Sequence, residues 1–476
     1  MIPSALQRKT LPAMDTLFWY AYLGLLIWAS FLNAHIDSQP WLVFASCTYL
    51  LLAAHFCSAC LGGRANILGL RLALAPIILL LLTLLLLYLQ TVLPLQTYLH
   101  DLILTGKHAA GYQADWFKPN SVWSIVPELT HWLLMSELLM LSFFVLTIGM
   151  LCSRRRLYQF LAVMIAIGLV HSVVGIVAKY AGITLVDKFH LDGHFGVARA
   201  WFINRNHFAS FVGLTLVGAL ALQLKYLLSS QGKTLMRLLL DQLITGKAVV
   251  LFALSCSVIA LLLSQSRAGF LAPVIAIAIC FFALGSGSSR FGKKRRFIVP
   301  IMIFLAVSLV YFGGDFVARI GADSLSLGER STQWALTWSA IQEAWLLGYG
   351  GNSYGTVFQA FREPEQFRQL YFNQAHNDYL HIWLEQGLIG LLIWIAILAI
   401  TLRRALMSFS SSSSTLVAGA SMAAGVVLIA ALLQSFVDFN LHILNIRLYF
   451  FVIMAVVFAV PSIKQRKGFL KPRFFI

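Results

Sequence analysis

The chain has 476 residues, 59% hydrophobic and 11% charged, with a formal net charge of +17. Soluble domains carry about a quarter charged residues, so a soluble fold is excluded. The apolar runs are continuous rather than alternating, which excludes a membrane β-barrel. The basic excess calls for no nucleic-acid partner, because Lys and Arg collect in the cytoplasmic loops of helical membrane proteins.

Runs long enough to cross the hydrocarbon core predict an all-α polytopic protein, one integral membrane domain over 1–476, with about twelve spans. They fall at 17–34, 41–61, 72–93, 132–152, 157–181, 207–228, 248–264, 269–285, 297–313, 380–402, 416–436 and 446–461. The first run continues past Trp28 without a small-residue cleavage site and reads as a span. With both termini in the cytoplasm, roughly 23 of the 35 Lys and Arg fall inside. The inside connectors 229-SSQGK-233, 285-GSGSSRFGKKRR-296 and 408-SFSSSSST-415 are plain linkers, and the tail from Lys464 suits anionic headgroups or a topology anchor. The six cysteines lie in or beside spans and read as packing residues; Cys57 and Cys60 lack the second pair that a zinc site needs.

The long external segments are 94–131, 182–206 and 314–379, the last between the ninth and tenth spans. Within it, 330-RSTQWALTWSAIQEAWLLG-348 places Trp334, Trp338, Ile341 and Trp345 at helical spacing, the pattern of a helix in the membrane interface. Arg330 starts that helix, where a cation opposes the dipole, so an anionic ligand is one candidate partner. The stretch 348-GYGGNSYG-355 ends it.

Polar residues gather at the external edge. His376 precedes the tenth span; it is either a neighbour of a helix cap or a base held at the membrane edge. Asn377 or Asp378 can cap the span. Arg267, in the short turn 264-SQSRAGF-270, either snorkels to headgroups or binds phosphate. In 199-RAWFINRNHFASF-211, Arg205 adds a cation and Asn206 can cap the sixth span. Glu385 lies inside the tenth span; Asp438 and His442, four apart, can pair on one helix face. Gly387 and Gly390 suit close helix packing. No Walker loop, Rossmann glycine pattern, nucleophile elbow or metal cage is legible. Arginines and a histidine beside a bilayer suit a substrate with an anionic phosphate head and a lipid tail.

The ordered motifs 202-FINRNHFASF-211, 264-SQSRAGFLA-272, 328-GERSTQWALTWSAI-341, 346-LLGYGGNSYG-355, 375-AHNDYLHIWLEQGLIG-390 and 434-QSFVDFNLHI-443 resemble the bacterial O-antigen ligase and O-antigen polymerase superfamily over about 160–460. The resemblance implies an inverting, metal-independent glycosyltransferase of the inner membrane with a periplasmic site and no cofactor. It would move a glycan from undecaprenyl diphosphate to an acceptor hydroxyl, on lipid A–core for a ligase or on another lipid-linked repeat for a polymerase. A protein acceptor is less expected, because the loop lacks an obvious extra domain. By resemblance, Arg267 and Arg330 hold the diphosphate, Arg205 is a less secure third, and His376 orients or deprotonates the acceptor. Asn377, Asp378, Glu385 and Asp438 are expected to support them. The competing class is a lipid-linked oligosaccharide transporter, for which inverted repeats and broken helices would be expected; the sequence displays neither.

Overall fold

The structure is a computed structural model, and it describes residues 5–32, 39–94, 122–183, 185, 196–229, 237, 241, 248–285, 324–361, 374–412 and 414–463. Among these residues the secondary structure is helical, without strands. In chain order the helices are α1 (Ala5–Phe31), α2 (Gln39–Cys60), α3 (Ile67–Leu72), α4 (Leu74–Val92), α5 (Pro127–Met150), α6 (Arg154–Ala181), α7 (Arg205–Ser229), α8 (Ala248–Leu263), α9 (Arg267–Gly285), α10 (Ser324–Glu343), α11 (Tyr354–Phe361), α12 (Asp378–Ser411), α13 (Thr415–Gln434) and α14 (Leu444–Ala459). Every predicted span is met by a helix except 297–313, which lies outside the described residues. Among the described residues, eight helices are long and apolar enough to cross a membrane. The molecule is an all-α polytopic membrane protein.

The centre of the bundle is α14, buried along nearly its whole length. Around it pack α5, α7, α12 and α13. Apolar side chains gain little from leaving lipid for protein, so small residues that let backbones approach carry the contacts. The helix α13 is rich in Gly, Ala and Ser, and a Cβ at Gly419 would come within 2.8 Å of Ala221 O on α7. Polar side chains join the helices across the interior. Arg447 of α14 pairs with Glu137 of α5, both buried; removing one partner from such a pair costs about 3–5 kcal/mol. Asn66 Nδ2 donates to Leu151 O at 2.8 Å and to Ala459 O at 3.0 Å.

The two ends of the bundle differ. One end carries Arg64, Arg154, Arg155 and Arg156, with Arg156 donating to Asp15 O at 2.7 Å and Arg154 to Ser414 Oγ at 3.5 Å. The other end gathers the start of α12, the end of α13 and the starts of α7 and α9, joined by Asp378 N to Ser435 O (2.8 Å) and by Ser210 Oγ to Gln434 Oε1.

Three expectations about the region before the tenth span need correction. First, α10 begins at Ser324, so Arg330 lies in its second turn and the argument from an unfavourable helix start loses its basis. Second, Trp334, Trp338, Ile341 and Trp345 do not form one face of α10: Ile341 is buried beside Gln333, Thr337 and Ala340, and Trp345 lies beyond the helix end, while the exposure of Trp338 and Trp345 is what a helix in the membrane interface would show. Packing against α11 and α12 sets the orientation of the helix. Third, the tenth span is broken. Gly387 has φ +65 inside α12, and the glycine-rich turn after α10 enters the break.

That insertion satisfies the backbone groups that the break releases. Tyr349 N and Gly350 N donate to Leu384 O and Glu385 O, both at 2.9 Å. Leu388 N donates to Trp345 O at 2.9 Å. From α4, Gln90 Nε2 donates to Glu385 O (3.0 Å) and its Oε1 accepts from Gly351 N (3.0 Å). Non-helical backbone at membrane depth is tolerated only where protein pairs it in this way.

Candidate functional site

The site is built around residues 374–378, each tied to a different neighbour. Gln333 Nε2 donates to Gln374 O and Trp334 Nε1 to Ala375 O at 3.1 Å, so α10 fixes the approach. Asn377 is the N-cap of α12; its Oδ1 accepts from Tyr379 N (3.0 Å) and Leu380 N (3.1 Å), while its Nδ2 donates to Phe436 O (3.1 Å). Between these anchors His376 has φ +49. A non-glycine residue there costs on the order of 1–3 kcal/mol and persists only where its surroundings over-determine it. The other non-glycine left-handed residues among the described ones, Ala200, Gln265 and Asn352, lie close in sequence to Arg205, Arg267 and Tyr354.

The His376 side chain is 23% exposed, and its Nδ1 faces buried Asp438 Oδ1 at 3.4 Å. The Phe439 ring stands edge-on between His376 and His207, with centroids at 4.8 and 4.7 Å. Burial pushes the Asp438 carboxyl up, but the neighbouring His376, His207 and Arg330 outweigh it and hold it well below the usual carboxylate range. Arg330 therefore bears on the same centre as His376. Arg205 and Arg267 start α7 and α9. Those helix starts pack closely, for a Cβ at Gly269 would lie 2.4 Å from Ala209 Cβ. Both arginines are half-buried at the same end of the bundle. Asn206 does not cap α7; its N–H donates to Asn204 Oδ1 at 2.8 Å.

Asp438 and His442 do not pair with each other. Asp438 precedes a short 3-10 turn (Asn440–His442), so the two are not on one helical face. His442 Nδ1 instead bonds Asp378 Oδ1 at 2.8 Å, and Leu441 N donates to Asp378 Oδ2 at 3.3 Å. Beside this pair lies one that the sequence reading missed: His381 Nε2 donates to Glu385 Oε1 at 2.9 Å, with both side chains buried. Their i,i+4 spacing was the available signal. The His381 and His442 rings lie 3.7 Å apart.

No cage was legible in the sequence, yet His381, Glu385 and His442 place ligand atoms within 4.8 Å of one another. The donor chemistry does not fit a metal. A metal-bound imidazole donates its second N–H to an acceptor, and His442 does face Asp378. The Nδ1 of His381, however, faces the N–H of Ala375 at 3.4 Å and accepts from it. The proton then sits on Nε2, directed at Glu385, and leaves no lone pair for a cation. The cluster is a hydrogen-bonded network.

Burial, then the neighbouring His381 and Arg447, lower the His442 pKa well below that of a free imidazole, against the opposing pull of Glu385. Below about pH 6.5 the unfolded chain binds a proton that the folded chain excludes, so stability falls with acidification, by at most about 1.4 kcal/mol per pH unit for this one group. Between pH 7 and pH 5 the unfolding midpoint of His442→Asn is expected to fall less than that of the wild type. Equal slopes would show that His442 does not carry the dependence.

A helical membrane bundle with a strained histidine, a buried carboxylate and several arginines at one end defines the class: a multi-pass membrane protein with a polar site at the end of its spans. Residues 252–395, less than a third of the chain, match the family model described as O-antigen ligase, which is consistent with the O-antigen ligase and polymerase superfamily. The match includes Arg267, Arg330, His376, Asn377, Asp378 and Glu385, and it excludes Arg205 and Asp438. No curated protein matches the chain.

Proposed function

We propose that the protein transfers a glycan from undecaprenyl diphosphate to an acceptor hydroxyl at the periplasmic face of the bacterial inner membrane, as an O-antigen ligase-type glycosyltransferase. The observation that carries this reading is His376, held in a left-handed conformation with its Nδ1 toward buried Asp438. Its other nitrogen, Nε2, is left for the acceptor. A carboxylate on one imidazole nitrogen fixes the tautomer and steadies the positive charge when the other takes a proton.

In the proposed step the acceptor O–H gives its proton to His376 Nε2, and its oxygen attacks the anomeric carbon from the face opposite the diphosphate. The new C–O bond forms as the bond to the diphosphate oxygen breaks, so configuration inverts. Undecaprenyl diphosphate departs with the electron pair. Arg267, Arg330 and Arg205 offset the charge growing on it, and guanidinium groups suit phosphate oxygens. Asn377, Asp378 and Glu385 hold the backbone on which His376 stands. This chain's residues account for the transfer without a metal or cofactor. Basic residues at the far end of the bundle favour cytoplasmic termini and a periplasmic site.

The polymerase reading uses the same chemistry with a lipid-linked repeat as acceptor. The transporter reading gains one feature from the break at Gly387, but backbone pairing with the turn after α10 fills that break. The glycan profile of a deletion strain decides. Full-length polymer held on undecaprenyl diphosphate with bare lipid A–core supports the ligase; single repeats on the core indicate a polymerase. Transfer from a lipid-linked donor by the purified protein alone removes the transporter.

A further inference from the structure

We propose that Glu385 is a positioning residue for His376, acting through His381 and the turn before α11. The inference rests on the transfer reading above. Glu385 sits at the break in α12, two residues before Gly387. One oxygen of its carboxylate, Oε1, accepts from both His381 Nε2 (2.9 Å) and Tyr354 N (3.1 Å). The first bond fixes the tautomer of His381, so that Nδ1 is the acceptor for the N–H of Ala375. Ala375 immediately precedes His376. The second bond anchors the start of α11, whose Tyr354 ring stacks on His381 at 4.6 Å and 23°. The Tyr354 hydroxyl meets Thr337 (3.0 Å) and Gln333 (3.3 Å) on α10, and Gln333 holds Gln374 O.

Two routes thus run from one oxygen to the two residues ahead of His376. One passes through His381 to Ala375, the other through Tyr354 and Gln333 to Gln374. A left-handed histidine keeps its conformation only while its flanks are held. Loss of the acceptor oxygen is expected to leave the bundle standing and the base misplaced. The oxygen, not the negative charge, is what both routes use.

The test is glycan transfer by purified protein in lipid nanodiscs, with a lipid-linked oligosaccharide donor, for wild type, Glu385→Gln, Glu385→Leu, His381→Leu and His376→Ala. Glu385→Leu and His381→Leu are expected to lower kcat about tenfold or more while the donor KM stays within about twofold, the pattern of a misplaced reacting group. Glu385→Gln keeps an oxygen facing His381 and Tyr354, and is expected to recover to within about threefold of wild type. Wild-type kcat in His381→Leu overturns the inference. So does a Glu385→Gln protein no better than Glu385→Leu at an unchanged unfolding midpoint, and so does one equivalent of divalent metal in wild type that His381→Leu lacks. Should Glu385→Leu fail to fold, His381→Leu decides. No transfer by the wild type removes the transfer reading itself; an active His376→Ala removes His376 as the base and with it the role of Glu385, whereas an inactive His376→Ala beside an active His381→Leu removes only the role of Glu385.

Discussion

Replacing His376 by alanine is expected to lower glycan transfer by about a thousandfold, within the range that a positioned general base contributes, while donor binding stays near wild type. The expectation follows from how the structure treats this side chain. Its packing is confined to an edge-on contact with Phe439 and the approach to Asp438; the side chain is partly exposed, and its backbone is held by Gln374, Ala375, Asn377 and Asp378 rather than by its own ring. Alanine at this position leaves those bonds in place, so the loss should fall on chemistry. Asp438→Asn is expected to lie between the two, because an amide can hold the ring but cannot steady its charge. The measurement is single-turnover transfer with saturating donor, beside binding of the donor to each variant. A His376→Ala protein that transfers at the wild-type rate would place the base elsewhere. His207, on the other side of Phe439, would be the next group to replace.

The second large effect is structural. Gly387→Ala is expected to destabilise the protein by several kcal/mol and to abolish transfer with it. A Cβ there would lie 2.2 Å from Leu346 O and 2.5 Å from the Leu347 carbonyl carbon, at φ +65. The obstruction is backbone, which cannot swing aside as a side chain can. Either the turn at 345–351 leaves the break in α12, or α12 rewinds as a continuous helix. Both strand carbonyls and amides at membrane depth, where an unpaired group costs several kcal/mol. Gly213→Ala, in α7, is the control, because a Cβ there would meet nothing within 4 Å. Thermal unfolding in detergent should show a large drop for Gly387→Ala and a much smaller change for Gly213→Ala; equal drops would mean that the break is not what Gly387 serves.

Sequence by itself determined the class and most of the span positions. Runs of about 20 apolar residues have no other stable use in a chain this poor in charge, and all but 297–313 are met by described helices. It also brought forward His376 and Asn377, because a cap and an apolar run are both local signals; the capping bonds of Asn377 are those that its spacing required. What depends on distant parts of the chain was not legible. The sequence paired Asp438 with His442, since four residues apart is one helical turn, but the chain there is a 3-10 turn that directs them to His376 and Asp378. The tryptophans of α10 have helical spacing, yet periodicity does not say which face is buried; Tyr354 and Gln374 chose Gln333 instead. Gly387 looked like a packing residue because a break in a span is stable only when another segment fills it, and that segment lies nearly 40 residues earlier at Trp345 to Gly351. Only the tertiary structure decided these contacts, because hydrogen bonds in an apolar interior are settled by which partners the packing brings within reach.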